Sequence, residues 1–181
     1  MTASLLYTAM IAMCLCMPAP QSNTVGAASD ISKAGSGMPR LYQKWLDQDV
    51  RWIITPDERT DFLRLSNNED RDHFVEQFWL RRDPTPNTAE NEFKEEHYRR
   101  IAYANVHFAW RAVPGWETDR GRIYIVFGEP ATIESGDATS ESSKPTALWH
   151  YRTVVPKYGN NLKFVDVCGC GDYRLESPAR D

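Results

Sequence analysis

The hydrophobic period of the chain changes once, and this change decides the fold class. Up to Val113, apolar residues recur at the three- and four-residue spacing that gives a helix one buried face. Beyond the turn at Pro114 and Gly115, they stand in short runs rich in β-branched and aromatic side chains, which is typical of strands. Helices first and strands second predict an α+β fold, with N-terminal helices packed on a small antiparallel β-meander.

The first half of the helical part has a clear start signal. Residues 40–52 place apolar side chains at helical spacing and predict a first helix. Thr55, Pro56 and Glu58 follow, and they match a capping threonine, a proline in the first turn and an acidic residue three positions after the cap. A second helix is therefore expected from Pro56 onward.

Two more helices are predicted before the change of period. Asn67 or Asn68 is expected to cap the third helix, because a short polar side chain accepts a bond from an unpaired backbone N–H. The Pro-Thr-Pro stretch from Pro84 ends that helix, since the residue before a proline avoids the helical conformation. Thr88 is expected to cap the longest helix, over residues 90–110.

The second part of the chain predicts strands that are separated by turns. Gly128 ends the first strand, residues 134–145 form a mobile loop rich in glycine and serine, and Gly159 lies in a hairpin turn. The four predicted strands are residues 122–127, 148–155, 162–167 and 172–175.

The N-terminal region predicts export. Residues 1–29 carry no charged side chain, and the apolar run at residues 5–17 is well short of the roughly 20 residues that span a bilayer. We expect a signal peptide over residues 1–27 that is cleaved before Ala28, although no Lys or Arg precedes the apolar run. Two alternatives are an uncleaved anchor and a lipid on Cys14 or Cys16.

The remaining boundaries follow from composition. Residues 28–38 are rich in small side chains and predict a flexible linker. The folded domain is expected over residues 39–176, and residues 177–181 are expected to form a tail. The formal net charge of -4 argues against a nucleic-acid partner, which calls for a basic surface.

One motif and five ordered stretches carry a family resemblance. Residues 115–119 read G-W-E-T-D, which resembles the motif after which GWxTD domains are named. The resemblance covers roughly residues 41–175, and its further blocks are residues 42–54, 78–86, 91–105, 119–128 and 171–175. It implies an exported bacterial protein and supports the domain boundaries, but it implies no reaction. Cys168 and Cys170 depart from the family's pattern.

The motif itself has a structural and a functional interpretation. Gly115 lets the chain reverse after the longest helix, Trp116 can cover the end of the helix layer, and Thr118 can bond to backbone groups in a turn. The alternative is a ligand pocket around Trp116, Asp119 and Arg120. The structural interpretation is favoured because turns of this kind more often lock a fold.

His97 is the strongest single candidate for chemistry. Glu95 and Glu96 precede it, but no second histidine stands at the spacing of a zinc-protease helix. His97 also falls on the apolar face of the longest predicted helix, so a buried, hydrogen-bonded histidine is the favoured interpretation. No catalytic or metal-binding residue and no cofactor is assigned. The candidate binding residues are His97, Arg100, Trp116, Asp119 and Arg120.

Two further features have more than one interpretation. The arginines that stand beside acidic residues, among them Arg81 and Arg82, favour buried or half-buried ion pairs that tie helices to the sheet over an anion or carboxylate site. Cys168 and Cys170 are too few and too closely spaced for a zinc site, which needs four ligands. They are expected to be two thiols or a labile disulfide in a surface turn.

The sequence therefore favours a non-enzymatic interaction module of the cell envelope, periplasmic or extracellular, with a protein partner. Membrane contact is expected only through an uncleaved or lipidated N-terminus. The alternative is an enzyme or small-ligand-binding protein with a site near His97 and the Gly115 to Arg120 turn. Large aromatic side chains, including six tryptophans, suit a small core and a contact surface equally.

Overall fold

A computed structural model describes residues 37–136 and 144–176 of the chain. The predicted signal peptide, its cleavage site, the candidate lipidation sites at Cys14 and Cys16, most of the predicted linker and the tail lie outside these residues. Within them, none of the helices has the length and apolar character that crossing a bilayer takes.

The described elements confirm the α+β fold, with helices first and an antiparallel meander second. The sheet has the strand order β1-β2-β3-β4, and each neighbouring pair is antiparallel. A π-helical turn, Trp45–Asp49, extends the first helix, and a 3-10 turn, Gly115–Glu117, precedes the fifth. The helices are α1 (Arg40–Lys44), α2 (Pro56–Arg64), α3 (Asn68–Leu80), α4 (Glu92–His107) and α5 (Asp119–Phe127); the strands are β1 (Thr132–Gly136), β2 (Thr146–Val155), β3 (Gly159–Asp166) and β4 (Tyr173–Leu175).

The predicted caps of α2 and α3 are confirmed. The Thr55 side chain accepts a bond from the Glu58 backbone, and the Glu58 carboxylate accepts one from the Thr55 backbone. Asn67 caps α3 by accepting a bond from the Asp70 backbone at 2.8 Å. These local bonds satisfy backbone groups that have no partner inside the helix, so the sequence alone could place both starts.

Two helix boundaries differ from the prediction. The first helix does not stay α-helical to residue 52, because it widens into the π-helical turn and ends at Asp49. The longest helix is capped by Asn91 and not by Thr88, whose hydroxyl instead donates to backbone carbonyls of its own turn. Asn91 is the more favourable cap because both polar atoms of its side chain form hydrogen bonds. Its Oδ1 accepts from the Lys94 backbone, and its Nδ2 donates to the Trp79 carbonyl.

The predicted strand at residues 122–127 is wrong, since these residues form most of α5. Ile123, Tyr124 and Ile125 are all buried, so the helix has no polar face that would reveal its period. Its ends carry helix signals: Thr118 caps it by accepting from the Gly121 backbone, and Gly128 follows it with a φ of 84°. Tertiary burial has overridden the strand preference of the side chains.

The first strand, β1, lies later in the chain and runs from Thr132 into the segment predicted as a loop from residue 134. All five β1 residues are exposed, and the strand pairs with β2 from Thr132 to Gly136. Because neither face is buried, β1 shows no hydrophobic alternation. The remainder of the predicted loop, residues 137–143, lies outside the described residues. The predicted strands at 148–155, 162–167 and 172–175 are confirmed as β2, β3 and β4, with bounds that differ by a few residues.

The buried residues fall into two hydrophobic clusters. What we call the helical cluster joins α1, the π-helical turn, α2 and α3; its members are Tyr42, Trp45, Leu46, Val50, Phe62, Phe78 and Trp79. The sheet cluster joins the end of α4, the 3-10 turn, α5 and the sheet; its members are Ala104, Phe108, Trp116, Ile123, Tyr124, Ile125, Ala147, Trp149, Tyr151, Val155, Leu162 and Phe164. The binding residues proposed from the sequence lie in or beside the sheet cluster, apart from His97, which lies against Trp79 of the helical cluster.

Candidate functional site

The G-W-E-T-D segment forms a close contact between the 3-10 turn and α4. A Cβ atom on Gly115 would overlap the backbone of Ala104, so only glycine fits there. The Asn105 side chain accepts a bond from the Trp116 backbone at 3.0 Å. Two neighbouring residues of α4 thus fix the first two residues of the motif.

The last two residues of the motif fasten α5. The Thr118 hydroxyl donates to the Gly115 carbonyl at 2.8 Å and accepts from the Gly121 backbone at 3.1 Å. Asp119 accepts a bond from the Leu175 backbone at 2.9 Å, which ties the start of α5 to β4 across 56 residues of sequence. The Thr118 hydroxyl and a carboxylate oxygen of Asp119 are thus both engaged in bonds that hold the fold together.

Trp116 links the sheet cluster to the segment that follows the π-helical turn. Its side chain is 9 % exposed and belongs to the sheet cluster. Its carbonyl accepts a bond at 2.9 Å from Nε1 of Trp52, which directly follows the π-helical part of the chain. The Arg51 guanidinium lies over the Trp52 ring, 5.0 Å from its centroid. The geometry matches the structural interpretation of the motif.

His97 is buried on α4, as its position on the apolar face predicts. It is 3 % exposed, and its Nε2 lies 2.6 Å from the carbonyl oxygen of Asp49, the last residue of the π-helical turn. Because a carbonyl can only accept, Nε2 carries the proton. Burial lowers the pKa of His97, so the ring is neutral at pH 7. Its ring stacks on Phe93 and lies at a tilt against Trp79, and its bond to Asp49 makes it a joint between α4 and the first helix.

The two candidate arginines are also engaged in contacts within the fold. Arg100 donates from Nε to Glu96 at 2.7 Å and from an η nitrogen to the Ile125 carbonyl at 3.3 Å, near the C-terminal end of α5 where positive charge is favoured. The Arg120 guanidinium lies 4.1 Å from the centroid of the Tyr173 ring, and burial lowers its pKa.

Among the cavities formed by the described residues, His97 and Arg100 share one that the other three candidates do not line. His97 and Arg100 line a cleft of about 50 Å³ together with Ile53 and Phe93, and Trp116, Asp119 and Arg120 do not line it. A volume of this size holds about one or two water molecules. The cleft therefore has no room for a substrate of ordinary size.

The predicted arginine–carboxylate pairs are present, but they connect helical elements or lie within one helix and do not tie helices to the sheet. Arg82, two residues after α3, bonds Glu58 of α2 at 2.7 Å, and Arg81 bonds the same carboxylate at 3.1 Å. Arg99 and Arg100 both pair with Glu96 of their own helix. Burial acts to raise the pKa of the Glu58 carboxyl, but hydrogen bonds from Arg82, the Thr55 backbone and Arg81 outweigh it and lower the pKa to about 2. Glu58 is therefore both a cap and the ionic link between two helices.

A groove between α3 and the start of α4 was not predicted from the sequence. It has a volume of about 810 Å³, within the usual range for a binding cleft. Its apolar surface comes from Val75, Trp79 and Leu80, of which Leu80 is 48 % exposed. The groove runs along the side of α3 on which the acidic residues Glu69, Asp72 and Glu76 recur every three or four positions.

The rim of this acidic groove carries four carboxylates and one ammonium group. Within the described residues, Glu69, Asp70 and Asp72 form no ion pair with Lys or Arg, and Glu76 is 3.9 Å from His73 alone. Glu69 and Asp70 lie in the first turn of α3, where negative charge suits the helix dipole. Glu76 lies in mid-helix and has no such structural reason. The sequence does contain a signal for this groove: acidic residues recur on one face of α3, and no Lys or Arg stands four positions after any of them to pair with it.

The cysteine pair is closed as a disulfide between Cys168 and Cys170, in the turn after β3. Of the two forms left open by the sequence, the bonded one is present. In this form neither sulfur is a thiolate that could bind a metal.

Comparison with known proteins gives one match. The family model described as GWxTD domain matches residues 21–168, a range that contains the 3-10 turn, α5 and the first three strands. No curated protein and no solved structure matches the chain.

Proposed function

The chain belongs to the GWxTD domain family, as its motifs predict, and we propose that its domain is a non-enzymatic interaction module. Its partner presents a basic amphipathic segment, which binds in the acidic groove between α3 and α4. The observation that carries this proposal is the combination of an apolar floor with carboxylates that form no ion pair with Lys or Arg among the described residues.

Charge supports a basic occupant. Glu69, Asp72 and Glu76 stand at successive turns on one side of α3, so Lys or Arg side chains on a bound segment can meet them in register. Such rim pairs contribute selectivity and a faster association rate more than affinity. The Asp72 carboxylate also accepts a bond from Tyr42 at 2.7 Å, which holds it in place.

The apolar floor supports an amphipathic occupant. Trp79 is buried and rigidly held among Phe78, Phe93 and Tyr98, so it offers a fixed surface at little cost in side-chain entropy. Leu80 is half exposed beside it. A helix that places apolar side chains every three to four residues fits a groove of this kind.

The direct test uses a synthetic amphipathic peptide of lysine and leucine, with an acidic peptide of the same pattern as a control. Titration calorimetry on the full chain should detect the basic peptide and not the acidic one. Replacing Glu69 and Glu76 by Gln should weaken binding about fivefold, since two exposed pairs contribute on the order of 1 kcal/mol together. Equal binding of both peptides would contradict the proposal.

A matched control separates the groove from net charge. Glu95 and Glu117 are exposed, lie outside the groove, and like Glu69 and Glu76 include one residue in the first turn of a helix. The Glu95→Gln and Glu117→Gln double variant should bind the basic peptide as the unchanged chain does. For the apolar floor, Leu80→Ser should weaken binding, whereas Leu63→Ser on α2 should not.

The module acts outside the cytoplasm in this proposal, because the charge-free apolar leader at residues 1–29 is typical of exported chains. Mass spectrometry of the native protein should find a new N-terminus at Ala28. An intact Met1 in a cytosolic fraction would contradict export. Lipid on Cys14 or Cys16 would instead support anchoring to the membrane.

A further inference from the structure

The turn after β3 holds a chemical group that the groove does not use. The disulfide between Cys168 and Cys170 encloses a single residue, Gly169, whose φ of 64° lets the chain turn this tightly. Cys168 is exposed, and no atom from outside the Cys168–Cys170 turn lies within 4 Å of where a Cβ on Gly169 would stand. A reagent can therefore reach the sulfurs from solvent.

We propose that this disulfide is redox-active and oxidises dithiols of a partner protein. Disulfides that only stabilise a fold resist reduction, whereas exposed disulfides are the labile and catalytic ones. A bond that closes a loop of one residue also contributes little to stability, because it restricts the unfolded chain only slightly. Because stabilisation of the fold does not account for this bond, thiol–disulfide exchange is the role that we assign to it.

The exchange proceeds in two steps. A thiolate of the partner attacks the exposed Cys168 sulfur, the bond between the two cysteines breaks, and Cys170 leaves as a thiolate. The second partner thiolate then attacks the partner's sulfur in the mixed disulfide and displaces Cys168 as a thiolate. Both cysteines take up a proton. The partner dithiol loses two electrons and gains a disulfide, and Cys168 and Cys170 become thiols.

Asp166 is the positioning residue of this site. It is 3 % exposed, one carboxylate oxygen lies 3.5 Å from the Cys168 sulfur, and the backbones of Cys170 and Gly171 donate to it at 3.1 and 2.7 Å. These bonds hold the turn in place while the disulfide is open. In the reduced form the Cys168 thiol can donate to the carboxylate, which keeps that sulfur protonated.

Other charged groups face this turn from two elements. Arg120 of α5 is close enough for its charge to interact with Asp166. On the β4 side, Tyr173 lies against Arg120, and Arg174 is paired with Asp172 at 2.7 Å. Trp110 donates from Nε1 to the Cys170 carbonyl at 2.7 Å and can report opening of the turn.

The experiment uses the full chain with Cys14 and Cys16 replaced by Ser, so that only one pair reports. The oxidised protein is mixed with a reduced peptide that carries two cysteines, and thiols are trapped by alkylation and counted by mass spectrometry. We expect one peptide disulfide per chain, at least tenfold faster than with the Cys168→Ser and Cys170→Ser double variant. Tryptophan emission should change with the same time course and should not do so in Trp110→Phe. Peptide oxidation no faster than with the double variant would overturn the proposal.

The role of Asp166 is tested by Asp166→Asn, with Asp172→Asn as the matched control. Loss of the carboxylate charge should make the reduced Cys168 alkylate about three- to tenfold faster at pH 7, because its thiol pKa falls. The control should alkylate as the unchanged chain does. An unchanged pH profile in a folded Asp166→Asn would overturn the assignment of Asp166, and the peptide-oxidation result decides the redox activity whether or not this variant folds.

Discussion

The helical cluster and the sheet cluster are built from different kinds of information. The helical cluster draws on residues 42–79, and its elements follow one another with caps between them. The sheet cluster draws on residues 104–164 and closes only when α4, α5 and β3 meet from distant parts of the chain. Local signals therefore suffice to describe the first cluster, whereas the second depends on tertiary contacts that no single window of sequence contains.

Two long-range hydrogen bonds tie the first helical segment and the residues after it to α4 and the 3-10 turn. His97 bonds the Asp49 carbonyl, and Trp52 bonds the Trp116 carbonyl. Each bond runs from a side chain to a backbone carbonyl at least 48 residues away in sequence. We therefore expect the clusters to unfold together, and the following changes test how far each depends on the other.

The largest effect is expected from removing one fully buried ring in each cluster. Phe62 and Phe164 are both 0 % exposed, one in the helical and one in the sheet cluster. Phe62→Ala and Phe164→Ala should each lower the free energy of unfolding by about 3–5 kcal/mol. Calorimetry should show a single transition for both variants. Two separate transitions in either would mean that the clusters are independent.

Gly115→Ala should come next, because a methyl group there overlaps the α4 backbone at Ala104. We expect a loss of about 3 kcal/mol as the 3-10 turn is pushed away from α4. Gly37→Ala is the control, since nothing lies within 4 Å of that position. Chemical denaturation of both variants checks this, and equal stability would show that the turn can move freely.

His97 tests the joint between the clusters. His97→Leu leaves the Asp49 carbonyl without its partner and should cost about 1–3 kcal/mol, whereas His97→Gln can keep one bond and should cost less. The exposed His73, changed to Leu, should have little effect. Thermal melts of the three variants should show the largest loss for His97→Leu and the smallest for His73→Leu. Loss of function in His97→Gln at an unchanged melting temperature would contradict this structural role and would favour the enzyme or small-ligand alternative.

Acid should weaken the helical cluster through Glu58. Its folded pKa of about 2 lies below the ordinary value of 4.5, so the stabilisation is fully present above pH 4.5 and is lost as the pH falls toward 2. After allowance for solvent screening, about 1–2 kcal/mol is expected. Denaturation between pH 6 and 2.5 should show this slope, and Glu58→Gln should flatten it. An identical slope in that variant would assign the acid sensitivity to other carboxylates.

The sequence predicted the fold class and the helical cluster because their signals are local. Thr55, Glu58 and Asn67 make bonds within three residues of themselves. It misassigned α5 because a helix buried on all sides and a buried strand present the same apolar run. It missed β1 because an edge strand with two exposed faces needs no apolar residue. In both cases the deciding partner is distant in sequence.

The candidate residues show the same division. The burial of His97 followed from its position on a helical face, and that prediction is confirmed. The partners of Trp116 and Asp119, which are Trp52 and Leu175, stand more than fifty residues away and leave no local trace. The acidic groove could have been read from α3 alone, since Glu69, Asp72 and Glu76 share one side of that helix.

The π-helical turn Trp45–Asp49 makes the length of this segment matter more than its composition. Such a turn is an α-helix that holds one additional residue. Deleting one residue, such as the exposed Gln48, would restore ordinary winding and rotate Tyr42 by about 100° relative to the Asp49 carbonyl. Either Tyr42 would leave the helical cluster or Asp49 would leave His97. Exposed residues in this turn can therefore be substituted freely. An insertion or deletion would require a new contact in place of the bond between His97 and the Asp49 carbonyl.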